Sequence, residues 1–165
     1  MSQDAVVIGL KSTNNQTFCK YCAALLDTVN SGQFIPPAGA NGGPVAGLAT
    51  NSILYSGISD YVGGVFQWTL TGAAWPSYAS GSGTNRVLTI GTTGFFYGLF
   101  VGTGTIAPGD RLVVADQYGR LASIEADGLA YAAGTTAYLV GTAADAATVS
   151  GQRFKVQMQL TTIKV

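Results

Sequence analysis

Cys19-Lys20-Tyr21-Cys22 holds the only two cysteines of the chain, at the spacing of a redox dithiol or of half a zinc site. Neither chemistry finds its surroundings in the sequence. A thioredoxin-like dithiol opens a helix after a strand in a βαβ unit, and no such unit follows. A zinc site needs two more ligands. The chain has no other Cys and no His, so only a site shared between subunits would supply them. The pair reads instead as two small apolar side chains in a core or an interface.

The lack of His also removes the usual general base at neutral pH, the Ser-His-Asp triad and the Cys-His pair. Carboxylates, Lys and Tyr remain, but no focused arrangement of them is visible. Gly102-Thr103-Gly104-Thr105-Ile106-Ala107 formally fits a dinucleotide fingerprint. That fingerprint needs a helix to start there, because the helix N-terminus holds the pyrophosphate. Pro108-Gly109-Asp110 follows and turns the chain. No Gly-Lys pair occurs, so there is no phosphate-binding loop of the Walker type. Asp110, Asp116, Asp127 and Asp145 sit in or beside expected turns, where Asp bonds nearby backbone N–H groups. No calcium-loop spacing is present. The reading is of a protein that is not an enzyme, with no catalytic residue, no metal and no cofactor.

Aromatic residues are the remaining candidates. Tyr55, Tyr61, Trp68, Trp75 and Tyr78 crowd one region and suit a sugar site or a partner site. Trp68 reads as core, and Trp75 beside Pro76 reads as a surface or loop residue. The interface candidates are Phe34, Tyr55, Tyr61, Trp75 and Tyr78.

Three zones must position these residues. Residues 1–31 open with the β-like run 5–10. The apolar spacing of Phe18, Tyr21, Cys22, Leu25, Leu26 and Val29 then predicts a short helix near 17–29, with a strand or an extended arm as the competing form. Residues 32–85 form a loop-rich zone, with Pro36-Pro37 and the Gly-rich stretch 39–44 outside regular elements. Strands are expected at 52–56 and 65–70.

Residues 86–165 are cleaner. Strands are expected at 87–90, 95–101, 111–115, 120–125, 136–141 and 152–165. Pro108-Gly109 predicts a type II turn, and Asp116-Gln117-Tyr118-Gly119 closes a hairpin. The last strand alternates Phe154, Val156, Met158 and Leu160 against Arg153, Lys155, Gln157 and Gln159, as a half-buried antiparallel strand does. The fold class is mainly β: a small antiparallel barrel or sandwich with long Gly-rich loops. The expected organisation is an N-terminal arm over 1–31 and one β-rich domain over 32–165.

Charge is scarce. Only 10% of residues are charged, against roughly 25% in ordinary domains. Between Thr28 and Asn85 the one charged side chain is Asp60. A soluble monomer normally shows an interspersed charged surface, so packing against other subunits is the expected cover. The net charge is zero, with scattered basic residues, which argues against nucleic acid. The apolar run 95–101 is far below the roughly 20 residues of a spanning helix. No basic region precedes Ala5-Val6-Val7-Ile8, so no secretory signal is read. Synthesis in the cytoplasm is expected, without a membrane partner.

From Thr105 to Leu121 the chain carries Gly109-Asp110-Arg111-Leu112, Asp116 and Gly119-Arg120-Leu121. It carries a second phrase at Tyr138-Leu139-Val140-Gly141-Thr142-Ala143-Ala144. With the final strand, this span of 105–165 resembles the capsid cement or decoration proteins of tailed phages. The resemblance implies a homotrimer that binds the major capsid protein on the outside of an icosahedral head and clamps neighbouring subunits. The alternatives are a glycan-binding fibre or adhesin module and a self-assembling shell or tube subunit.

Overall fold

In the computed structural model the described residues are 6–12, 20–29, 33–41, 43–50, 87–126 and 131–165. They form nine strands and no helix. The strands are β1 (Val6–Ser12), β2 (Ala23–Leu26), β3 (Gln33–Ile35), β4 (Val45–Ala49), β5 (Val87–Leu99), β6 (Arg111–Val114), β7 (Leu121–Ser123), β8 (Thr136–Ala143) and β9 (Arg153–Lys164). They make one sheet in the order β1-β3-β2-β4-β5-β9-β8-β6-β7, and β1 also pairs with β5. All pairings between strands are antiparallel except β1–β3.

This topology curls the sheet around β5. On one side β1, β3, β2, β4 and β5 close into a ring through the β1–β5 pairing. On the other, β5-β9-β8-β6-β7 bends until Leu121 of β7 bridges Phe100, the residue after β5. The expected barrel-like β class is therefore the observed one.

Strand β5 explains how both rings share a member. Its sequence suggests two strands broken at Gly91–Gly94, yet it runs unbroken for 13 residues. Its first half pairs with β1 and β4, and its second half pairs with β9. Gly91 sits at the crossing. A Cβ there would lie 2.4 Å from the Phe96 ring, and one on Gly47 of β4 would lie 2.4 Å from the Gly91 carbonyl oxygen. Glycine at 47 lets the two backbones meet, and glycine at 91 leaves room for the Phe96 ring.

The core follows from alternation. Phe154, Val156 and Met158 of β9 point inward and join Phe100, Leu112, Val114, Leu121 and Val140. The other ring encloses Ala24, Phe34, Ala49, Leu88 and Ile90. Full burial of each large side chain contributes roughly 1.5–3 kcal/mol, so Phe100, Phe154 and Phe34 anchor the two halves.

The helix expected within residues 1–31 is corrected in favour of the competing strand. Over the described part of 17–29 there is a turn at Lys20–Tyr21 and then strand β2, not a helix. Tyr21 lies at φ 74°, outside helical space. The backbone bonds go to distant strands instead: Tyr21 N–H to the Ala49 carbonyl, Ala23 N–H to that of Gly119, and Leu99 N–H to that of Tyr21. The apolar spacing did not mark a buried face either, since Leu26 and Val29 are exposed. Nor do residues 6–12 form a free arm. Strand β1 is paired along β5 from Val6 to Lys11, so a boundary at residue 31 cuts through one sheet. The strands expected at 52–56 and 65–70 lie outside the described residues.

The hairpin region matches its reading. Asp110 N–H reaches the Ala107 carbonyl across Pro108-Gly109, with Gly109 at φ 94°, as a type II turn requires. Strands β6 and β7 then pair antiparallel.

Candidate functional site

Every second residue of a strand faces the same way. With Phe154, Val156 and Met158 inward, Arg153 and Lys155 of β9 face outward. Strand β5 pairs with β9 in the register Phe95↔Gln157, Tyr97↔Lys155 and Leu99↔Arg153. Phe95 and Tyr97 therefore share the outer face with the two cations. They stay 50% and 39% exposed, which is unusual for aromatics in a central strand.

Each cation leans one step along the ladder. The Arg153 guanidinium stands 4.7 Å from the Tyr97 ring centre, and the Lys155 ammonium 5.9 Å from that of Phe95. Tyr21 arrives from the Lys20–Tyr21 turn and meets Tyr97 edge-to-face, at 5.8 Å and 71°. The Lys20 ammonium sits 5.1 Å over Tyr21. A cleft of about 310 Å³ opens beside this group, lined by Lys20, Tyr21, Ala49, Thr50, Phe95, Phe96 and Tyr97. Cation–π contacts at exposed sites contribute only about 0.5–1 kcal/mol. Their main effect here is to hold exposed rings in fixed positions, which lowers the ordering cost of docking.

A second, polar cleft of about 250 Å³ is lined by Gly104, Thr105, Asp110, Ser123, Glu125 and Ala126. Its carboxylates have local partners. Asp110 Oδ2 accepts the Ala107 N–H at 2.9 Å. Glu125 pairs with Arg111 and accepts the Ser123 hydroxyl at 3.0 Å. Partial burial pushes the Glu125 carboxyl up. The hydrogen bonds from Arg111, Ser123 and its own N–H, with the Arg111 charge, outweigh that and leave it below the ordinary glutamate value.

Of the other turn aspartates, Asp116 bonds its own turn, Asp145 bonds a strand ten residues on, and Asp127 lies outside the described residues. Asp116 accepts from the Tyr118 and Arg120 N–H groups and from Arg120 Nε. Asp145 accepts the Lys155 N–H. Among the described residues no group of three or more His, Cys, Asp or Glu is placed to hold a metal. Cys22 is a free thiol buried in the core, and Cys19 lies outside the described residues. No helix follows Gly102–Ala107; Ile106 bridges Ala147 instead.

The predicted interface residues fare unevenly. Phe34 is fully buried against Ala24, Ala49, Leu88 and Ile90 of its own chain, so it is a core residue rather than a surface one. Tyr55, Tyr61, Trp75 and Tyr78, with Trp68, lie outside the described residues. The set of half-buried Tyr21 with exposed Phe95, Tyr97, Arg153 and Lys155 was not singled out. Its signal was present: a strand paired to β9 must turn alternate aromatics of Phe95-Phe96-Tyr97 outward beside Arg153 and Lys155.

Comparison with models of known protein families gives no match, and comparison with curated proteins gives none either.

Proposed function

We propose that this chain is a structural virion protein, a capsid cement or decoration protein. In this reading it acts as a trimer on the outside of an icosahedral phage head and clamps copies of the major capsid protein. The observation that carries the reading is the outer face of β5 and β9. There exposed aromatic rings stand beside Arg153, and aromatic residues and Arg are the types that protein interfaces concentrate. The shortage of charge supports it, since subunit packing would cover a surface so poor in Lys, Glu and Asp. The resemblance over 105–165 supplies the class of partner. The mechanism is mechanical: each copy buries apolar area across several capsid subunits, at about 25 cal/mol per Å² less the ordering cost.

The test has two stages. Light scattering of the purified chain at several concentrations should give the mass of a trimer. The trimer should then co-sediment with expanded phage heads, and Phe95→Ala with Tyr97→Ala should weaken association at least tenfold, the effect of losing about 1.4 kcal/mol. A monomer that ignores heads but binds glycans on the same cleft would replace this reading with the adhesin module. The exposed rings beside the 310 Å³ cleft are the feature that favours that second reading.

A further inference from the structure

Strand β6 ends at Val114, and its last ladder pair to β8 is Val113↔Leu139. The backbone groups of β8 beyond that point would lack a strand partner. Asn41, in the connection between β3 and β4, takes the place of one. Its Nδ2 donates to the Thr136 carbonyl at 2.8 Å, and its Oδ1 accepts the Tyr138 N–H at 3.0 Å. Its own N–H donates to the Val114 carbonyl at 3.0 Å. The side-chain amide thus stands in for a peptide group on the edge of β8, tying the β3–β4 connection to the strands of the other ring. Asn41 adopts φ 52°, a region that Asn tolerates better than most residues.

This amide precedes Gly42, and Asn41-Gly42 is the only Asn-Gly pair in the chain. Such pairs are chemically labile. The backbone nitrogen after Asn attacks the side-chain carbonyl carbon, the C–N bond to the amide breaks, and ammonia leaves. Water then opens the cyclic imide to Asp or isoAsp. The net change is Asn plus water to acid plus ammonia.

We propose that Asn41 is a deamidation site whose conversion unfastens the β3–β4 connection from β8, and that the folded latch protects it. The reason is donor chemistry. An ionised carboxylate can still accept the Tyr138 N–H, but it has no proton to give the Thr136 carbonyl. Two oxygen acceptors would then face each other where Nδ2 now bridges them, so the exposed bond to the Thr136 carbonyl is lost and the two oxygens repel. The isoAsp product also lengthens the backbone and shifts the register of the amide. This inference is independent of any capsid partner.

Peptide mapping of the full chain tests it, after incubation in mildly alkaline buffer with and without urea. Conversion at Asn41 should be about tenfold slower in the folded protein, because the two side-chain bonds must open first. Equal rates would overturn the protection. Folded Asn41→Asp should be cut by a broad-specificity protease between Ile35 and Val45 faster than the parent, and should melt lower. Parent-like cutting and melting would overturn the latch. If Asn41→Asp does not fold, the wild-type rate ratio still decides.

Discussion

Glu125 shows what a single side chain contributes here. Hydrogen bonds and charge from Arg111 and Ser123 hold its carboxyl below the ordinary value only in the folded chain. The native state therefore binds that proton less readily than the unfolded state. The resulting stabilisation is present above the ordinary glutamate range and is lost as pH falls through the lowered folded value. The two partners are 50% and 54% exposed, so solvent screening keeps the effect small. Glu125→Gln should show a flatter decline of the urea midpoint on acidification than the wild type. Parallel declines would mean that the pair adds nothing to the pH dependence. At this scale the sequence was legible where chemistry is local: Asp110 and Asp116 fold their own turns. It was not legible for Phe34, whose enclosure depends on β2, β4 and β5 closing around it.

Among elements, the crossing of β4 and β5 is the tightest constraint. A Cβ on Gly47 would press on the Gly91 carbonyl, a backbone atom with little room to retreat. Gly47→Ala should lower stability by about 1–3 kcal/mol, the usual cost of overpacking. Gly39, where an added Cβ meets nothing within 4 Å, is the control, and Gly39→Ala should unfold like the parent. Denaturant titration of both reads the difference, and a tolerant Gly47→Ala would mean that the strands can separate freely.

The same comparison explains which elements sequence reasoning reached. The hairpin of β6 and β7 and the alternating β9 were legible because turn residues and period-two patterning are encoded within a few positions. Strand β2 was legible only as the form competing with a helix, because Ala23, Ala24 and Leu25 are all buried and show no alternation. Short apolar runs of that kind do not distinguish helix from strand. The continuity of β5 was also hidden, since Gly91 and Gly94 look like a break until β4 and β9 are seen to flank them. The aromatic and cationic face required that pairing as well, because Phe95 and Tyr97 become outward residues only once β9 fixes the register.

For the molecule as a whole, the two rings share strand β5, and Ala23 of β2 and Leu48 of β4 reach into the larger apolar cluster of the other ring. Neither ring can lose β5 without opening the other. Heating should therefore give one transition, with calorimetric and van't Hoff enthalpies in agreement. Two resolved transitions would show that the rings behave as separate folding units.

The shared strand also sets how the chain would carry force. A pull applied to one ring and resisted at the other passes lengthwise along β5, whose hydrogen bonds to β1, β4 and β9 lie across that direction. Such bonds are loaded in shear, many at once, rather than peeled apart one by one. The fold is thus anisotropic: stiff along β5 and weaker across it, with its least yielding axis running through the strand that bears the exposed rings.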